Sequence, residues 1–414
     1  MKNRIEITAD EFCSSVRDGT HDSPKEVLKG GKPLVTTKHL RNGFIDISST
    51  YNISNEDFEK VNLRSKVDKW DVLISMIGTV GEVFLVSDEP DYAIKNLGLF
   101  KIGDELNSKW LFYYLKSQLG QNQIKLSLQG STQQYISLKS LRNLLIYVPE
   151  TEEETKSIVS FLSLLDKKIE LNHKKNETLE KISKTLFKSW FIDFDPVRAK
   201  AEGRPTGLSK EMNALFPDSF EDSEIGKIPK GWKSGNLGDL FEPSRGKIIT
   251  KAKTNPGIVP VVAGGIKPPY YHSESNVKGP VITISASGTA GYVNLYYQDI
   301  WASDCSYVNK DTFKKIFFAH SFLKINQERI YDLRHGAVQQ HVYPKDLVEL
   351  PIVISPDSII NTYEDIASQL HKKIETNLNE SETLVDLRDT LLPKLISGEL
   401  KMPDAQNLLE EADI

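Results

Sequence analysis

Two stretches of the chain carry a helical stripe of apolar residues, and they are one stripe written twice. Between Thr151 and Phe191 the positions Ile158, Leu162, Leu165, Ile169, Leu179, Leu186 and Trp190 recur at spacings of three and four or their sums, which predicts a helix with a single apolar seam. The second stretch places Tyr363, Ala367, Leu370, Ile374, Leu384, Leu391 and Leu395 in the same way. The segment from Leu164 to Asn172 reappears from Gln369 to Asn377, and that from Asn176 to Phe191 reappears from Ser381 to Ile396, both at an offset of 205 and with no gap between them. Each stripe lapses at matching places. Asn172 and Asn176 interrupt the first seam, and Asn377 and Ser381 interrupt the second.

A helix of about 40 residues at roughly 1.5 Å each is a rod on the order of 60 Å long. It cannot bury its stripe alone. The simplest partner for either copy is the other, running antiparallel with the polar waists opposed.

Outside the rods the pattern shortens to strands and turns. Pro33 to Thr37, Val72 to Ile77, Glu82 to Val86 and Leu144 to Val148 are β-leaning runs separated by Gly and Asn turn signals, and Ser108 to Leu119 reads as the one helix among them, with Trp110, Leu111, Tyr114 and Leu115 on one face. Pro149 closes the last strand, and Glu152, Glu153 and Glu154 open the rod with charges suited to a helix N-terminus. A bridge rich in Pro and Gly, through Arg204 to Gly207 and Ile228 to Trp232, leads into a second strand-rich unit. There Gly288 to Gly291 answers Gly78 to Gly81 at offset 210, and Gly336 to Val342 answers Gly130 to Ile136 at offset 206. The expected organisation is a first domain at 1–150, a first long helix at 151–198, a second domain at 199–356, and a second long helix with a tail at 357–414. The expected fold class is α+β: two strand-rich α/β domains joined by an antiparallel two-helix coiled coil, a tandem duplication with pseudo-two-fold symmetry. Pro393 should end or kink the second rod, and residues past Met402 should fray.

Composition narrows this picture without changing it. An apolar fraction of 39% and a charged fraction of 26% suit a soluble globular protein, and no apolar run reaches the roughly 18 residues of a membrane span. The start is charged and has no secretory apolar core. With only Cys13 and Cys305 present, at places the repeat does not equate, a reducing cytoplasm is the expected location. A net charge of −5 argues against indiscriminate nucleic-acid binding. The basic residues are nevertheless concentrated. Lys25, Lys29, Lys32, Lys38 and Arg41 gather in the first half, and Lys227, Lys230, Lys233, Arg245, Lys247, Lys251 and Lys253 in the second, which suggests two equivalent anionic contacts. The acids collect at Glu150 to Glu154 and in the tail at Glu410, Glu411 and Asp413.

A catalytic site is not legible. Gly246-Lys247 is followed by Ile248, without the hydroxyl that a phosphate loop offers to magnesium, and there is no G-x-G-x-x-G string. Lys267-Pro268-Pro269-Tyr270 is superficially like the Asp/Asn-Pro-Pro-Tyr motif of amino-methylating enzymes, but a lysine cannot accept the target amine's hydrogen bonds. Asp218, Glu221, Asp222 and Glu224 read as a solvated acidic loop with no strand to fix their geometry. The histidines do not pair with Cys or acids at metal-ligand spacing, and His173 and His371, on the rods, read as packing or surface residues. Gly78 to Gly81 fits a GXXG string, but its flanks are strands, so a glycine hairpin or bulge is the better account.

Taken in order, these residues resemble the specificity subunits of type I restriction-modification systems over nearly the whole chain. The resemblance rests on Pro33 to Leu40 and Asn42 to Asp46, on Gly78 to Gly81, on Leu186 to Pro196 at the rod end, on Ile228 to Trp232, and on Leu391 to Leu400. It implies two target-recognition domains that each read one half of a gapped site in double-stranded DNA. It also implies helices that hold two methylation subunits, with motor-nuclease subunits joining the complex, and a chain that is itself non-catalytic. AdoMet, ATP and Mg2+ would be used by those partners and not by this chain. The rival readings are a stand-alone methyltransferase or nuclease, which the absent cofactor motifs disfavour, and a two-headed coiled-coil scaffold that binds proteins and no DNA.

Whatever the two units share cannot by itself make their half-sites differ, so the paired glycines and Gln133, Gln134, Gln339 and Gln340 read as structural or general. Gln134 and Gln340 remain candidates because glutamine can pair bidentately with adenine. Lys38, Arg41, Arg245 and Lys247 are the expected phosphate contacts. His335, His341 and Tyr343 are candidate base readers, and Val259 to Gly265, which differs from the Pro33 segment, predicts that the units read different sequences. The inter-helix seam is expected to hold Ile158, Leu162, Leu165, Ile169, Asn172, Leu179 and Leu186 against Leu370, Ile374, Asn377, Leu384 and Leu391.

Overall fold

The computed structural model describes residues 4–41, 44–131, 133–336 and 338–411. Asn42 and Gly43 of the early motif, Thr132 and Ala337 of the paired loops, and Asp413 of the acidic tail lie outside the described residues, as do the side chains of Arg41, Glu410 and Glu411. The chain divides into two compact units, residues 1–170 with 380–414, and residues 171–379. The division falls inside each long helix, Glu152–Phe191 and Asp357–Ser397.

In the first unit an antiparallel sheet runs in the order Ser15–Asp18, Leu97–Lys101, Val72–Ser75, Val83–Leu85. A smaller sheet sets Lys32–Thr36 between Tyr51–Ile53 and a parallel partner, Ala93–Lys95. Arg4–Thr8 pairs antiparallel with Leu145–Pro149. The second unit repeats this plan. Its larger sheet runs Ser244–Arg245, Cys305–Asn309, Val281–Ser285, Val293–Tyr296. Its smaller sheet sets Val259–Val262 between Tyr270–His272 and the parallel Trp301–Ala302, and Lys233–Asn236 pairs with Pro351–Ile354. The Gly78 to Gly81 string makes the turn between two antiparallel strands, as its flanks predict. Gly81 and Gly291 both have positive φ, and in each unit a glutamine amide, of Gln121 and Gln327 respectively, donates to that glycine's carbonyl at 3.0 and 2.8 Å.

The seams form as the periodicity predicts. In the first unit Ile158, Leu162 and Leu165 join one buried core with Leu384, Leu391 and Leu395, and Ile169 packs against it. Lys168 pairs with Glu380 at 3.0 Å and Asp166 with Arg388 at 2.7 Å, so residue numbers rise on one helix as they fall on the other. Arg4, whose side chain is fully covered, donates to the carbonyls of Leu395 and Ile396 and pairs with Glu154, which satisfies the open C-terminal end of the second helix. In the second unit Phe187, Trp190 and Phe191 pack with Tyr363 and Ala367, while Leu186 is partly buried. Leu179 and Leu370 are likewise half-buried and Ile374 is buried. At the waist Asn377 Nδ2 donates to Asn176 Oδ1 at 2.7 Å, and the Asn172 and Asn176 amides reach the carbonyls of Asn377 and Ile374, each at 3.4 Å. All three asparagines are buried.

Several boundaries differ from expectation. The first long helix ends at Phe191, short of 198, because Phe194 turns into the left-handed region at φ 56° and a separate helix, Asp195–Ala201, starts with Pro196 in its first turn. Ser108 to Leu119 is the middle of two helices, Glu105–Lys116 and Gln118–Leu126, divided at Ser117, which caps the second through the Gly120 N–H. A further helix, Asn55–Ser65, was signalled only by Ser54, whose hydroxyl accepts from Asp57 N–H. Glu221 and Asp222 sit on a strand after all, in a hairpin of Phe220–Ser223 with Gly226–Pro229. Pro393 does not stop its helix, which runs on to Ser397 because Leu391, Leu392, Leu395 and Ile396 are buried on both sides of it. Past Met402 the chain forms the helix Met402–Glu411, with Ala405 fully buried.

A cavity of about 540 Å³ in the second unit is lined by His320, His371, Glu180 and Lys324 among others. His371 is buried, stacks on Phe317 at 4.3 Å between ring centroids, and shares a 2.7 Å hydrogen bond with the Tyr297 hydroxyl. His173 is exposed. Burial, with the neighbouring His371 and Lys324, pushes His320 down to about 3, and burial pushes His371 down to about 4. Both values lie below the ordinary histidine range near 6.5, so the unfolded chain binds more protons and the folded form is favoured above that range. The second unit should therefore lose stability as pH falls from about 6.5 toward 4. Melting temperatures taken across that window should show a fall that His320→Gln with His371→Gln flattens.

Candidate nucleic-acid interface

The loops that follow the sheets carry the exposed polar residues. In the first unit the backbone of Gln129 and Tyr135 closes a loop that presents Gln133 and Gln134 to solvent. His335 and His341 close the matching loop around Gln339 and Gln340 in the second. Gly130 and Gly336 permit both closures. Each has positive φ, and a Cβ there would meet the carbonyl oxygen of Gln133 or Gln339 at 2.5 or 2.2 Å.

The second unit brings three of the expected residues together. Arg245, at the end of the edge strand of the larger sheet, donates from Nη2 to Asp304 Oδ1 at 2.6 Å and lies 5.5 Å from the centre of the Tyr343 ring. Tyr343 in turn lies parallel to His341, with centroids 5.7 Å apart and 9° between planes. Asp304 also accepts from the Ser287 hydroxyl. Its side chain is 28% exposed and that of Arg245 34%, so the pair sits at the surface with one side covered. Lys247 is exposed and has no ion-pair partner among the described residues. Its carbonyl accepts from Trp301 Nε1 at 2.8 Å, which fixes the backbone while the side chain stays open. Lys251 and Lys253 follow on a short 3-10 turn, exposed. His335 pairs with Asp346 at 3.3 Å.

In the first unit Lys38 is exposed on the 3-10 turn Thr37–His39, Arg41 ends the two-residue strand Leu40–Arg41, and Gln134 belongs to a separate loop. The basic stretches of the two halves correspond only in part: Lys25 and Lys29 lie in the loop between the same two strands as Lys251 and Lys253, whereas Lys38 and Arg41 do not take the places of Arg245 and Lys247. Gly19 N–H donates to Leu97 and Thr20 N–H to Ile94, just as Gly246 N–H donates to Cys305 and Lys247 N–H to Ala302. Both glycines press on backbone, and a Cβ would come within 2.5 Å of Ile94 O or 2.3 Å of Ser303 O. The counterpart of Arg245 is therefore Asp18, and that of Asp304 is Asn96. Lys38 follows the Lys32–Thr36 strand, whose counterpart Val259–Val262 leads instead into Gly264 and Gly265. At the first unit's slot, buried Asp18 pairs with Arg64 and holds His21 Nε2 at 3.0 Å, while His21 Nδ1 meets Asn96 Oδ1 at 2.9 Å. His21 and Arg64 are exposed at the mouth of a cavity of about 480 Å³. Sequence reasoning missed Asp18, His21, Arg64, Asn96, Ser287 and Asp304, because their partners are brought in by strand pairing.

The arrangement offers hydrogen-bond donors and rings on exposed loops. No group of three or more His, Cys, Asp or Glu side chains is placed to hold a metal among the described residues. Both cysteines are buried, and burial pushes their thiols up to about 12, far from the reactive thiolate range. No helix among the described residues is long and apolar enough to cross a membrane.

The profile of the type I restriction modification DNA specificity domain matches residues 6–181 and again 229–384. The chain is 26% identical over 418 residues to the type I restriction enzyme MjaIX specificity subunit of Methanocaldococcus jannaschii, covering 92% of this chain and 89% of that protein. It is also 26% identical over 412 residues to the HindI specificity subunit of Haemophilus influenzae, covering 81% and 88%. In fold it is similar to the crystal structure of a type I restriction-modification S subunit from M. genitalium, with a TM-score of 0.55 at 18% identity, covering 95% of this chain and 96% of that one. With both matched segments spanning a sheet unit and much of the helix after it, the chain belongs to the family of type I restriction-modification DNA specificity subunits.

Proposed function

We propose that this chain reads a bipartite, gapped site in double-stranded DNA, one half with each strand-rich unit. In this reading it scaffolds two methylation subunits, and motor-nuclease subunits join through the complex. The observation that carries the reading is the repeated unit: two copies of one sheet topology present exposed loops with different polar side chains. Chemistry is assigned to the partners, which would use AdoMet, ATP and Mg2+, while this chain contributes sequence choice and geometry. Lys38, Arg41, Lys247, Lys251 and Lys253 supply phosphate contact, which sets affinity and register without selecting bases. The long helices, of 40 and 41 residues, act as a ruler that converts a protein length into a gap length, with the buried asparagine waist pinning their register.

Replacing Lys247, Lys251 and Lys253 together with alanine should weaken binding alike on all sequences and lower the slope of log affinity against log salt by about one for each lysine that touches phosphate. Titrations at several salt concentrations measure this, and unchanged affinity at low salt removes the segment from the interface. Leucine at both Asn172 and Asn377 should leave the helices paired while broadening the gap length accepted. Binding to a series of sites with base pairs added to or removed from the spacer reads the effect. An unaltered gap preference would reduce the waist to a packing feature.

A further inference from the structure

The guanidinium of Arg245 is poorly arranged for a phosphate and well arranged for a base. Asp304 lies 2.6 Å from it and cancels much of its charge, which is a liability beside a phosphate. The same carboxylate, held by the Ser287 hydroxyl, and the Tyr343 ring fix the plane of the fork. Only Nη2 is engaged, so the remaining guanidinium N–H groups have no hydrogen-bond partner among the described residues. An arginine held in one orientation with donors to spare is what bidentate recognition of guanine O6 and N7 requires. Lys247, two residues on, has neither tether.

The internal repeat supplies the second argument. A position that selects bases must differ between units that read different half-sites, while the shared turns and glutamine loops need not. The slot defined by Gly19 in one unit and Gly246 in the other has the same backbone hydrogen bonds and opposite side-chain chemistry. In the second unit the strand supplies the arginine and the loop before Cys305 the acid. In the first, the strand supplies the acid Asp18, the loop supplies Asn96, and the groups at the surface are His21 and Arg64.

We propose that this slot is where each unit reads bases: Arg245 contacts a guanine of the second half-site, with Asp304 as its positioning residue, and His21 with Arg64, positioned by Asp18 and Asn96, reads the first half-site. This rests on the bipartite DNA reading proposed above. The test uses the full chain in complex with its methylation partner and a DNA pool randomised in both half-sites. Arg245→Lys keeps the charge and the fold but loses the fork. It should weaken binding to the preferred site by roughly ten-fold or more and relax one G·C position of the second half-site, with the first half-site and the salt slope unchanged. Asp304→Asn should relax the same position, and Lys247→Ala should relax none. Arg64→Lys should act only on the first half-site. Equal loss on every sequence with a shallower salt slope for Arg245→Lys, or no change at all, overturns the assignment. A wild-type complex that selects no two-part motif would instead sink the underlying reading.

Discussion

A helix of about 60 Å with one apolar stripe needs a partner of equal length, and this chain supplies it from its own second half. Most of the rest follows from that pairing. The two halves of each long helix belong to different compact units, and each unit is completed by residues from both helices. In the first unit the buried Arg4 ties the N-terminal strand to the final turn of the second helix. In the second unit Ser183, Tyr363 and Ser321 share a buried hydrogen-bond chain, and in the first unit Asp166 forms an ion pair with Arg388. The sheets are therefore packed onto the helices by interactions that differ in detail while the backbone plan is kept.

The asparagine waist is the least replaceable part of the seam by sequence logic and the costliest by transfer energy. The buried amides in an apolar stripe are tolerated because Asn377 bonds Asn176 and the Asn172 and Asn176 amides reach carbonyls of the other helix, contacts that a shift in register would break. That is a reason for polar residues in a seam whose neighbours are Ile169 and Ile374.

The helices, their seam residues and the duplication were legible because periodicity and repetition are local properties. The paired glycine turns were legible for the same reason, since both copies need positive φ at the same step. What failed depended on distant partners. Pro393 was expected to end or kink the second rod, and the helix does not end there, because local rules weigh the missing N–H and do not see the buried leucines around it. The hairpin at Phe220–Ser223 was read as a solvated loop because its polar residues hide a register set by Gly226. The surface site was only half visible. Arg245, Lys247, His341 and Tyr343 could be named from charge and loop position. Asp304, which decides what Arg245 can do, lies 59 residues away in sequence and arrives through the pairing of Ser244–Arg245 with Cys305–Asn309.

Two units on one repeated frame, each choosing its own bases, is the claim on which the rest turns. Its most direct measurement is to exchange residues 1–150 for the corresponding domain of another member of the family and determine the DNA motif methylated by the assembled complex. The account predicts that one half of a two-part motif changes while the other half is kept. A change in both halves, or in neither, would contradict it.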